Sequence, residues 1–214
     1  MIPFPTINGI LVFSINIMTC WMGFSVYFQK DKKASNKVFG IMAIFMLLWV
    51  NFAYFARIAG ETNINLATNL LKVAWFATPI FFALLYSLVL YLSHKQKQYR
   101  ALTFFCWISG STAAILAGAT NLIIAGTRYE SNNVAIIYGE GIFPFLILVT
   151  FLIIATLGVL IKEYSKSAKT EKIQLVYFLT GLLIFYILNL IFNISLPIFF
   201  DISYLYWLGD YSTI

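Results

Sequence analysis

LLKVAWFATPIFFALLYSLVLYLS, residues 70–93, carries one charged side chain, Lys72, three positions from its start, and none in the rest of its length. Its apolar residues fall on every side of a helical projection, so a helix made of it has no polar face for water and must be surrounded by lipid or by other helices. Roughly 20 helical residues cross the hydrocarbon of a bilayer. In that medium each backbone N–H and C=O has to be bonded internally, which a helix does within one segment. A β-barrel strand would alternate polar and apolar residues, and this stretch does not. Residues 39–56, FGIMAIFMLLWVNFAYFA, read the same way.

Six such stretches, at about 8–28, 38–58, 70–93, 101–124, 141–161 and 173–196, alternate with short polar connectors. Of 214 residues, 61% are hydrophobic and 10% charged, against roughly 25% charged in an average soluble domain. The expectation is an all-α integral membrane protein whose residues 1–214 form a single membrane domain. The first stretch is read as a retained helix: its flank MIPFPTI lacks the basic region of a secretory signal, and no small-residue cleavage pattern follows. Cys20 and Cys106 fall inside apolar stretches, where they act as small apolar residues rather than as a disulfide or metal pair.

The net charge of +6 is unevenly placed. Lys30, Lys32, Lys33 and Lys37 lie in the first connector, Lys95, Lys97 and Arg100 in the third, and Lys162, Lys166, Lys169 and Lys172 in the fifth, making 11 of the 14 basic residues. These connectors share one side if all six stretches cross. Lys and Arg in short loops stay cytoplasmic, so the N-terminus is expected outside. The basic loops suit anionic lipid headgroups, and nothing in their pattern calls for nucleic acid.

Proton and ion handling inside a membrane uses ionisable groups at depth, and the interiors of the six stretches have no Asp, Glu, Lys, Arg or His. His94, the one histidine, stands at a span end with no second His, Cys or acid at metal-ligand spacing. It reads as an interfacial residue. Gly139 and Gly141 in YGEGIF follow no strand and precede no Lys-Ser/Thr, so a phosphate loop is a poor reading. No catalytic residue, cofactor site or metal site is expected.

The polar residues within the stretches are uncharged: Asn16, Asn51, Asn121, Asn189 and Asn193, with Ser and Thr. Asn189 and Asn193, four apart, share a helix face that either lines a binding cavity or hydrogen-bonds to a neighbouring helix. Gly110, Ala114 and Gly118 form a small-residue stripe, for packing inside the bundle or for a homodimer seam. Arg57, Glu61 and Lys72 come to one level of the membrane, with Arg128, Glu130 and Glu140 in the longest outer connector, GTRYESNNVAIIYGEG. They form either a polar rim over an outward pocket or a set of snorkelling interfacial charges.

Residues 171–197, EKIQLVYFLTGLLIFYILNLIFNISLP, followed by YLYWLGDYSTI, are similar to the seven-helix membrane region at the N-terminus of certain bacterial histidine kinases. The positions carrying the resemblance are Gln174, Tyr177, Gly181, Asn189, Asn193, Leu196, Pro197, Leu208 and Gly209. The Lys-rich loop into NKVFGIMAIFMLLWVNFAYF and the 70–93 stretch with Trp75 and Pro79 match in order and spacing. Asp210 departs from the Pro that often follows Leu-Gly in the family. The resemblance implies a seven-helix bundle of which this chain holds six, with 197–214 an outer loop and the start of a missing seventh helix. It also implies a multi-pass sensor of the plasma membrane with a cytoplasmic kinase as output. A small transporter or permease component is the alternative, disfavoured by the lack of an internal repeat; a retinal protein would need a Schiff-base lysine in a seventh helix.

Overall fold

The helix Ile64–Leu92 is the post around which the chain is arranged: 72% of its apolar stretch is buried, against 33% for each of the helices Ala34–Gly60, Arg100–Ala119 and Ile142–Tyr164. The computed structural model describes residues 4–30, 33–130, 133–164 and 169–200. The helices are α1 (Phe4–Tyr27), α2 (Ala34–Gly60), α3 (Ile64–Leu92), α4 (Arg100–Ala119), α5 (Ile142–Tyr164) and α6 (Lys169–Asn189). α6 runs into a π-helical stretch, Leu190–Ser195, and then α7 (Leu196–Phe200). Between α4 and α5 stand two strands, β1 (Ile124–Glu130) and β2 (Asn133–Tyr138). By length and composition α1 to α5 are each able to cross a membrane, and α6 carries a shorter apolar run, Leu179–Asn193. The Leu208-Gly209-Asp210 turn lies outside the described residues.

Two boundaries differ from expectation, each for a local reason. α3 begins at Ile64, not near residue 70, because Asn63 caps it: its Oδ1 accepts from the Leu66 N–H at 3.0 Å. With that start, Pro79 sits in the middle of α3, where its ring removes one backbone hydrogen bond. α4 ends at Ala119, not 124. Thr120 turns extended, its hydroxyl donating to the Leu116 carbonyl and accepting from the Leu122 N–H. Asn121 is thus a loop residue rather than a span residue.

The connector 126–141, read as an irregular loop, contains most of an antiparallel hairpin, with Tyr129 paired to Val134 and a bulge at Ala125. Its glycines fit tight approaches. A Cβ on Gly60 would lie 2.1 Å from Val134 Cγ2, which brings the hairpin against the end of α2. The Gly139 N–H donates to the Ile123 carbonyl at 2.9 Å and the Gly141 N–H to the Leu122 carbonyl at 2.8 Å. These amides serve the backbone, so the Gly-x-Gly is a hairpin anchor.

α4 packs on α3 through the small-residue stripe. A Cβ on Gly110 would meet Ala83 Cβ at 3.0 Å and the Pro79 carbonyl at 3.2 Å, and one on Gly118 would meet Phe76; Ala114 is buried. α1 is held more lightly. Val12 and Ile15 pack with Val50 in a small separate cluster, while Phe13, Trp21 and Phe24 face outward. Its polar tie is a reciprocal amide pair: Asn16 and Asn51 each donate Nδ2 to the other's Oδ1 at 2.8 Å. Such contacts within a membrane are worth about 0.6–2 kcal/mol. A double-mutant cycle with Asn16→Leu and Asn51→Leu, read by thermal unfolding in detergent, is expected to return a coupling energy in that range.

Candidate membrane cavity

A cavity of about 230 Å³ opens between α3, α5 and the end of α6, in the half of the bundle nearer the hairpin. Five aromatic contacts build and back its walls. Trp49 of α2 meets Phe81 and Phe185 edge-on, with centroids 6.2 and 6.0 Å apart. Phe82 of α3 stacks on Tyr186 of α6 at 5.4 Å. Trp75 of α3 lies 5.3 Å from Phe145 of α5 and 5.9 Å from Tyr138, the last residue of β2. Edge-to-face and offset contacts of this kind hold rings in fixed orientations.

Asn189 and Asn193 both line this cavity. Both are buried; Asn193 Nδ2 donates to Asn189 Oδ1 at 2.9 Å, and Asn189 Nδ2 donates to the Phe185 carbonyl at 3.0 Å. Asn193 lies inside the π-helical stretch, a geometry that recurs at functional sites. Thr78 and Thr150 add hydroxyls, and among the described residues no Asp, Glu, Lys, Arg or His lines the space.

The other candidate residues lie elsewhere. Arg57, in the last turn of α2, and Glu61 and Lys72 do not line the cavity. Glu61 Oε1 accepts from the Tyr129 hydroxyl at 3.2 Å, and Lys72 Nζ donates to Asn121 Oδ1. The Thr68 and Thr127 hydroxyls bond at 2.8 Å, and Arg128 pairs with Glu130 within β1. These groups dock the hairpin onto α2 and α3. Burial raises the Tyr138 phenol well above its ordinary value, and desolvation, then the Glu61 hydrogen bond and charge, raises that of Tyr129.

A family model described as the N-terminal 7TM region of histidine kinase matches residues 10–206, from α1 to beyond α7. The chain belongs to this family. No curated protein and no solved structure matches it. Membership makes the bundle a multi-pass membrane sensor region of histidine-kinase signalling. Among the described residues no group of three or more His, Cys, Asp or Glu gathers at one place.

At the opposite end of this sensor region stand His94 and Glu163. His94 adopts a left-handed φ of 56°. Its N–H bonds the Tyr91 carbonyl and the Lys95 N–H bonds the Leu90 carbonyl, the pattern of a Schellman C-cap. Glu163, passed over as a connector residue, is buried in the last turn of α5, 3.9 Å from Lys95, while Lys162 lies over the Tyr99 ring. The spacing Leu152, Thr156, Val159, Glu163 continues the buried face of α5 and marks Glu163 in the sequence once the helix is extended past residue 161.

Proposed function

We propose that this bundle is the non-catalytic input module of a histidine kinase, receiving its signal on the extracytoplasmic side of the plasma membrane. A seventh helix would then carry a change of packing to a cytoplasmic kinase. The supporting observation is the position of the aromatic and amide cavity: it lies at the hairpin end, away from the connectors that hold 11 of the 14 basic residues. Positive loops stay cytoplasmic, so the cavity faces the exterior half of the bilayer. A signal acts by favouring one of two packings. The helix that relays it has a seat available in the groove between α1 and α6, about 380 Å³ in volume. That groove is lined by Met18, Met22, Met42 and Met46, four of the five methionines in the chain. Thioether side chains repack easily, which suits a contact that must change.

Orientation is the test. In a background with Cys20 and Cys106 replaced by serine, Glu140→Cys is expected to react with an impermeant maleimide on intact cells. Lys97→Cys should react only after permeabilisation. The opposite pattern would put the cavity on the cytoplasmic side and end the input reading as stated.

A further inference from the structure

We infer that the cavity takes a small uncharged ligand with one flat apolar ring and one amide, carbonyl or hydroxyl group. The inference rests on the input reading, since a sensor cavity needs an occupant, but the chemistry comes from the cavity's own walls. Trp49, Trp75, Phe82, Phe145 and Tyr186 supply the apolar surface. Their rings are fixed by one another and by Phe81 and Phe185, so they offer a preformed slot rather than a pliable one.

Neutrality follows from what the lining lacks. An ion placed there would be out of water with no opposite charge among the described residues of the lining, and an unpaired charge in an apolar medium is strongly disfavoured. The polar part follows from what the lining has. Asn189, Asn193, Thr78 and Thr150 carry amides and hydroxyls, which donate to and accept from a neutral polar group. Size is set by volume: an apolar cavity of about 150 Å³ holds benzene, so about 230 Å³ suits one ring with one polar substituent.

The test uses the full 214-residue chain in phosphatidylcholine nanodiscs and four fluorinated probes followed by ¹⁹F NMR. 4-Fluorobenzamide, 4-fluorobenzoate and 4-fluorobenzamidinium have nearly the same shape and charges of zero, minus one and plus one; fluorobenzene lacks the polar group. Saturable binding of the benzamide is expected, at least tenfold tighter than either ion or fluorobenzene. Asn193→Leu should weaken it at least tenfold and leave fluorobenzene unchanged. Leu146→Trp, which fills the cavity from α5 and leaves both asparagines in the chain, should abolish it and covers the case in which Asn193→Leu does not fold. An ion or fluorobenzene binding as well as the benzamide, benzamide binding that survives Leu146→Trp, or no saturation at all would overturn the inference. The assay reads no kinase output. A chain that binds the benzamide but drives no kinase refutes the input reading alone, and the reverse result refutes the ligand class alone.

Discussion

Gly139→Ala is expected to detach the hairpin from the bundle, raising its local opening by about a hundredfold. The added methyl would stand 2.2 Å from the Leu122 carbonyl oxygen and 2.5 Å from that of Asn121. Both are backbone atoms, so relief requires moving the chain rather than rotating a side chain. Overpacking of this kind costs about 1–3 kcal/mol. The shift also breaks the Gly139 N–H bond to Ile123, worth about 1 kcal/mol, for a total of about 3 kcal/mol, which corresponds to about two decades in population. Hydrogen exchange of the β1 and β2 amides measures it. Gly158→Ala is the control: no atom lies within 4 Å of a Cβ at that position in α5, and alanine is the better helix former by about 1 kcal/mol. Slow exchange in Gly139→Ala would mean that the anchor tolerates a side chain and that the hairpin is held chiefly by Thr68, Thr127 and Val134.

The hairpin also marks the limit of what the sequence discloses. Membrane helices are legible because the rule behind them is local: residues 70–93 have no polar face, and no neighbour is needed to conclude that they must be buried. Ends are less legible because they rest on single side chains. Asn63 and Thr120 move two helix ends by several residues each, and hydropathy alone registers neither. β1 and β2 were missed since the Gly126–Gly141 connector carries too few alternating positions to separate a strand from a loop; what makes it a hairpin is the fit of Val134 on Gly60 and of Gly139 on Leu122.

The candidate site divides in the same way. The four-residue spacing of Asn189 and Asn193 is a property of one helix, and it placed both amides on one face from sequence alone. The aromatic walls opposite them come from α2, α3 and α5, and no local pattern tells that Trp49 and Trp75 turn toward the same space. Arg57, Glu61 and Lys72 were visible as charges at one level. The partners Tyr129 of Glu61 and Asn121 of Lys72 are far away in sequence, and no local pattern pairs them.

Trp49 connects the core to the cavity, and Trp49→Ala is expected to be the most damaging single truncation in the bundle. The indole is buried, borders the cavity and makes edge contacts to Phe81 of α3 and Phe185 of α6. Phe81 and Phe185 are themselves 6.0 Å apart, so one substitution leaves a void between three helices. In soluble cores Trp→Ala costs about 3–5 kcal/mol, part transfer and part cavity. Lipid is as apolar as the core it replaces, so the transfer part shrinks and the cavity part stays; about 3 kcal/mol is expected. For a chain of this size that is a fall in Tm of about 6–12 °C, measured by thermal unfolding in detergent. Trp21, 74% exposed on α1, loses little packing on truncation, and Trp21→Ala should shift Tm by a degree or two at most, as a surface substitution does. Equal shifts for the two variants would mean that tryptophan as such, rather than its place between α2, α3 and α6, sets stability. The cavity would then have no rigid wall on the α2 side, and the preformed slot on which the ligand class depends would be lost with it.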